Sequence, residues 1–155
     1  MKTEVKPTVL YVDDEQNNLL SFKATFRRQF NILTAESAVE ARRILSGQSV
    51  HILISDQRMP QMTGIEFFAS ILEEYPDPIR ILLTGYADIQ AVIDAINLGQ
   101  VFRYCTKPWN EGEITRHLEE AYELYELRAQ NKELTEQLVD NNTKMEFLLR
   151  QQLLS

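Results

Sequence analysis

Basic charge is in short supply in this chain of 155 residues: 16 Lys and Arg face 23 Asp and Glu, a formal net charge of -7. A non-specific grip on phosphate backbones needs clustered cations, so direct nucleic-acid contact by this segment is not expected. Cysteine is scarcer still. The single Cys105 excludes an internal disulfide framework and suits a cytoplasmic location. Its apolar neighbours imply a buried, inert thiol. No uncharged apolar run is long enough to span a bilayer, and residues 1–7 are followed by no signal-type apolar core, so no membrane partner is expected. The histidines are His51 and His117, both assigned to regular elements, and no His/Cys cluster for zinc is expected. Helix-breaking Gly and Pro are absent from residue 113 to 155, which points to a helix too long for an ordinary globular core.

The chain is 44% hydrophobic, enough for one domain core with an appendage. Strand-like and helix-like patterns alternate. Strands are expected at residues 8–12, 31–35, 51–55, 80–84 and 101–105. Helices are expected at 16–29, from Ser37 to Gly47, from near Gly64 to Leu72, at 89–98, and from Asn110 onward. Ser37 with Glu40 forms a capping box, Asp88 is a cap for the helix at 89–98, and Asn110 with Glu113 makes a similar start. Such alternation specifies a doubly wound (βα)5 domain with a five-stranded parallel sheet in a three-layer α/β arrangement over residues 5–122.

Two strands run directly into acids: Asp13 and Asp14 follow the first, and Asp56 follows the third. The C-terminal edge of an open parallel sheet is where such folds place their chemistry. Crowded carboxylates repel unless a cation sits among them. Mg²⁺ suits a few carboxylate oxygens, retained waters and phosphate. Asp56 is the candidate nucleophile toward phosphorus, forming an acyl phosphate. Lys107, after the fifth strand, would reach an anion held there. Thr84 offers a hydroxyl from the end of the fourth strand, and Tyr104 an amphipathic ring from the strand beside it. Each has a plainer reading: Asp13 and Asp14 as turn or capping residues, Lys107 as solvated, Thr84 as a strand end, Tyr104 as core.

Asp13-Asp14, Asp56 with Gln57-Arg-Met-Pro60, Gly64, Thr84 and Lys107-Pro108, in this order and spacing, resemble the receiver domain of bacterial two-component response regulators. The resemblance implies a flavodoxin-like fold and phosphorylation of Asp56 by a sensor histidine kinase or phosphotransfer protein. It further implies Mg²⁺ held by Asp13, Asp14, Asp56 and the backbone carbonyl of Arg58, a phosphate contact from Lys107, and Thr84 with Tyr104 as a coupled switch pair. Such a domain is no enzyme beyond its own phosphorylation and dephosphorylation. Arg58 and Tyr86 are bulkier than their counterparts in the stand-alone chemotaxis receiver, so slow self-dephosphorylation is expected. Two rival readings are a degenerate receiver acting as a dimerising adaptor, and a metal-dependent phosphohydrolase. The latter wants an acid two residues after the nucleophile, where Arg58 stands.

Residues 123–155 carry a heptad pattern with Leu124, Asn131, Leu138, Met145 and Gln152 at a, and Leu127, Leu134, Asn141 and Leu148 at d. Steps of three and four are the coiled-coil signature, with Asn131 a specifier of register and Glu123 able to face Arg128 of a parallel partner. A dimerising linker is expected, a marginal coil given its polar seam positions, leading to an output domain that this sequence does not contain.

Overall fold

The computed structural model describes residues 6–154; the expected domain start at residue 5 and the last residue of the extension, Ser155, lie outside the described residues. Five strands alternate with five helices among the described residues: β1 (Thr8–Val12), α1 (Gln16–Phe26), β2 (Asn31–Ala35), α2 (Ala38–Gly47), β3 (Ile52–Asp56), α3 (Gly64–Ile71), β4 (Ile79–Thr84), α4 (Ile89–Asn97), β5 (Arg103–Thr106) and α5 (Glu111–Leu154). A single 3-10 turn, Tyr86–Asp88, precedes α4. The sheet is parallel throughout, in the order β2-β1-β3-β4-β5. This is the doubly wound parallel sheet expected from the alternation of patterns, in the flavodoxin-like arrangement that the resemblance implies.

Helices on both faces explain why the central strands read as unbroken apolar runs: every residue of β3 and β4 is buried. Side chains alternate between two cores, as strand geometry requires. Val9, Tyr11, Ile52, Ile54, Ile81, Leu83 and Cys105 face α1 and the start of α5, meeting Phe22, Phe26, Ile114 and Leu118. Leu10, Val12, Leu53 and Leu82 face α2, α3 and α4, meeting Leu45, Phe67, Phe68, Ile71 and Val92. Trp109, just before α5, packs its ring 5.4 Å from that of Phe26.

Several local expectations shift. β5 begins at Arg103 rather than residue 101, and of its residues only Cys105 is buried. Val101 is buried and the Phe102 N–H donates to the Arg80 carbonyl at 2.8 Å, so the segment runs alongside β4 before the ladder proper. α1 ends at Phe26 because the amides of Gln29 and Phe30 both turn back onto the Phe26 carbonyl. Ser37 caps α2 through the Glu40 amide, but the Glu40 carboxylate accepts from Glu36 rather than closing a box on Ser37. The full capping box is at Thr63 and Glu66, opening α3.

The described residues divide after Tyr125 into two units. In the second, residues 126–154 are helical and exposed throughout, with local contacts such as an ion pair of 3.2 Å between Lys144 and Asp140. No described helix is long and apolar enough to cross a membrane.

Candidate functional site, an acidic crevice at the strand switch

The strand order reverses at β1, whose neighbours are β2 and β3, and in-register pairing places Val12 opposite Ser55. The residues that follow these positions therefore emerge side by side in the crevice where doubly wound folds bind ligands. The carboxylates of Asp13, Asp14 and Asp56 gather there, with one oxygen from each within 4.8 Å of the others.

Asp13 is fully buried and heavily bonded. It accepts from the Tyr11 hydroxyl at 2.6 Å, the Glu15 N–H at 2.9 Å and the Asn18 amide at 3.1 Å. Its bond to Glu15 also satisfies an amide at the mouth of α1, whose N-cap residue supplies no side-chain cap of its own. The turn-residue reading and the site reading thus coincide in one side chain. Asp14 is exposed. Tyr11 stays a donor, because burial and then its bond to Asp13 hold the phenol well above its ordinary pKa. Tyr11 and Asp13 lie two residues apart on one strand face, a signal available in the sequence but not used.

The Lys107 ammonium lies 2.9 Å from Asp56 and 3.7 Å from Asp13. Burial pushes the Asp56 carboxyl above the usual carboxylate range; Lys107 opposes this, while Asp13 and Asp14 add to it. Lys107 is fixed by its main chain, since its N–H donates to the Thr84 carbonyl at 3.0 Å. Its peptide bond to Pro108 is cis. Thr84 is fully buried, and its hydroxyl donates to the Gly85 carbonyl at 3.1 Å. Tyr104 is half-buried, paired with Leu82 and packed on the core beneath α2, α3 and α4.

Arg58, Tyr86 and Asp88 line a cleft of about 420 Å³ together with Asp14, Asp56 and Lys107. The Arg58 guanidinium is bound to Asp88 at 2.7 Å, and this pairing holds its pKa above the ordinary value. The expected capping role of Asp88 is therefore corrected: its side chain makes no cap bond to α4 because Arg58 engages it. Tyr86 is 78% exposed at the mouth.

Two residues that the sequence reading named only as part of the motif, Gln57 and Gly64, support the crevice. Gln57, buried after Asp56, accepts from the Ile65 N–H through its side chain at 3.1 Å and from the Gly64 N–H through its carbonyl at 3.0 Å. Gly64 is required by proximity. A β-carbon there would fall 2.7 Å from the Asp56 carbonyl oxygen and 2.6 Å from a Leu82 methyl. The absence of a His/Cys cluster was also a wrong expectation: Cys105 and His117 come together with Glu113, on residues far apart in sequence. Cys105 is otherwise as anticipated, buried and pushed up to about 12 by desolvation.

Three acids and a lysine thus meet at the switch point of a parallel, doubly wound α/β fold, the class to which this domain belongs. Residues 9–119 match the response regulator receiver domain, and the chain belongs to that family. It is 32% identical over 128 residues to the hydrogenase transcriptional regulatory protein HoxA of Bradyrhizobium diazoefficiens, covering 83% of this chain and 26% of that protein. Identity to the protein of the same name from Cupriavidus necator is 35% over 127 residues, covering 82% of this chain and 26% of the relative. The chain thus spans about a quarter of the length of these relatives. Among solved structures, it resembles an uncharacterized protein from Neptuniibacter caesariensis, with 42% identity, a TM-score of 0.77, and coverage of 83% of this chain and 96% of that one. An adenylate cyclase structure from Rhodopirellula baltica gives a TM-score of 0.82 at 28% identity, covering 85% and 98%. Family membership makes this domain a self-modifying signalling module rather than a conventional enzyme. Its acidic cluster is of the kind that Mg²⁺-binding receivers carry.

Proposed function

We propose that this domain is a phosphorylation-dependent switch in which Asp56 accepts a phosphoryl group from a sensor histidine kinase or phosphotransfer protein. The observation that carries the reading is the meeting of Asp13, Asp14 and Asp56 within 4.8 Å, with the Lys107 ammonium 2.9 Å from Asp56. An Asp56 oxygen attacks phosphorus, the phosphorus–nitrogen bond of the donor phosphohistidine breaks, and the imidazole leaves with the electron pair. Lys107 turns from the free carboxylate to a phosphoryl oxygen. Asp13 is held in place by Tyr11 and Asn18.

The crevice fits Mg²⁺: its donors are hard oxygens, and beyond the effect of burial the carboxylates of Asp13 and Asp14 both push the Asp56 carboxyl upward, a crowding that a cation relieves. Asp13, Asp14, Asp56 and the Arg58 carbonyl would hold the ion, which when bound neutralises charge on the phosphoryl oxygens. Phosphorylation adds about two negative charges and strong acceptors. Thr84 then exchanges its bond to Gly85 for the phosphoryl group, and Tyr104 takes up the space vacated, shifting a pre-existing equilibrium in the packing of α4, β5 and the start of α5. Bulk at Arg58 and Tyr86, beside the path of attacking water, makes the phosphorylated form long-lived.

Residues 5–122 form this receiver, and residues 123–155 form a parallel dimeric coil leading to an output module. Support for the coil comes from the exposure of Leu127, Leu134, Leu138, Met145 and Leu148, the apolar seam of the heptad. The likeness to hydrogenase transcriptional regulators favours a transcriptional output, in the cytoplasm and away from any membrane. Arg58, ion-paired with Asp88, offers no acid for phosphohydrolase turnover. Mass measurement after treatment with a small acyl phosphate and Mg²⁺ tests the central claim: wild type gains one phosphoryl group and Asp56→Asn gains none. An unchanged wild-type mass would instead favour a phosphorylation-independent adaptor.

A further inference from the structure

A second group of ligand-type side chains lies apart from the acidic crevice, between β5 and the first turns of α5. Cys105 faces this side of the sheet, and Glu113 and His117, four residues apart, share one face of the helix packed against it. One ligand atom from each of the three lies within 4.8 Å of the others. His117 is only 7% exposed, yet its buried Nδ1 has no hydrogen-bond partner. Its Nε2 is 3.6 Å from Glu113, beyond hydrogen-bond range. A buried imidazole nitrogen left unmatched costs free energy, and native folds rarely leave one without a reason.

We propose that Cys105, Glu113 and His117 form a second metal site, for a borderline divalent cation of the Zn²⁺ type with water completing its shell. Thiolate, imidazole and carboxylate are the ligands Zn²⁺ takes in three-ligand sites, and the soft sulfur selects against Mg²⁺. Tetrahedral coordination places ligand atoms about 3.3–3.8 Å apart, so side-chain rotation moving each atom by about 1 Å closes the site. Glu113 is exposed enough to give the ion a route from solvent. On binding, the Cys105 S–H bond breaks, its proton leaves to solvent and a sulfur–metal bond forms. The thiolate and carboxylate then balance the dication. Of the two arginines near the thiol, Arg103 is already paired with Glu120 at 2.9 Å. Cys105 sits between Tyr104 and the strand end leading to Lys107, so occupancy ties α5 to β5 beside the proposed switch.

Co²⁺ is the probe, titrated into tag-free, reduced, metal-free full chain with excess Mg²⁺ filling the carboxylate crevice. The expected result is one equivalent of Co²⁺ giving a sulfur-to-metal charge-transfer band, displaced by Zn²⁺ and retained in Asp56→Asn. His117→Gln and Glu113→Gln should each weaken binding at least tenfold while still accepting phosphate from an acyl phosphate, which shows that they fold. Absence of the band in wild type would overturn the proposal with no variant needed. Unchanged affinity and band intensity in both variants would also overturn it, since the thiol would then be binding metal without these partners.

Discussion

Residues 126–154 and the α/β unit before them use helix in opposite ways. In the α/β unit each helix turns one face to a sheet, and α3 buries Phe67, Phe68 and Ile71 completely or nearly so. In residues 126–154 every side chain is exposed, and leucines such as Leu134 stand 62% open. Isolated helices gain little from propensity alone; burial of an apolar face supplies most of their stability. The contrast teaches that the first unit carries its own stabilisation, whereas the second buries no apolar face among its described residues, the feature on which the proposed dimeric coil rests.

The largest effect expected across this divide is chemical. Asp56→Asn abolishes phosphorylation by an acyl phosphate in Mg²⁺, while Leu134→Lys with Leu138→Lys leaves it unchanged; intact-mass measurement distinguishes the two. Truncation in the core comes next. Phe67→Ala should lower unfolding free energy by about 3–5 kcal/mol in urea denaturation. Gly64→Ala should lose about 1–3 kcal/mol and slow phosphorylation, since the new methyl presses on the Asp56 carbonyl. The double lysine variant should alter stability of the α/β unit by less than about 0.5 kcal/mol, yet convert a dimer to a monomer in sedimentation equilibrium. A wild-type chain already monomeric at high concentration would remove the dimer from the comparison.

The smallest effect concerns pH in metal-free protein. Burial raises the folded pKa of Asp56 above its unfolded value near 3.9, so the folded state binds the extra proton. Stability from this group is full below the unfolded pKa and is lost as pH rises through the folded pKa. Asp56→Asn should therefore melt higher than wild type at neutral pH, with the gap closing below about pH 4. Mg²⁺ should narrow it from the other side by raising the melting temperature of wild type more than that of the variant.

Elements whose pattern repeats locally were legible in sequence. β1 and β2 match expectation residue for residue, and the acids were expected to meet because they follow strands that alternate with helices in a parallel sheet. What escaped depends on contacts between distant segments. Nothing local to Asp88 announces that Arg58 will take it from the α4 terminus. Glu113 and His117 are visibly one turn apart, but Cys105 joins them only through the docking of α5 on β5. β5, an edge strand with fewer buried positions, carried too weak a pattern to fix its start.

One bond sets how the proposed crevice can move. Because the Lys107 amide is moored to the Thr84 carbonyl, the lysine has a fixed post at its root, whereas the threonine hydroxyl on the same residue is held only by its neighbour Gly85. A single residue thus serves as anchor through its main chain and as latch through its side chain. In the proposed switch the latch swings toward a new charge while the main-chain bond from Lys107 to Thr84 stays made, so β4 and the lysine keep their register as the surrounding side chains repack.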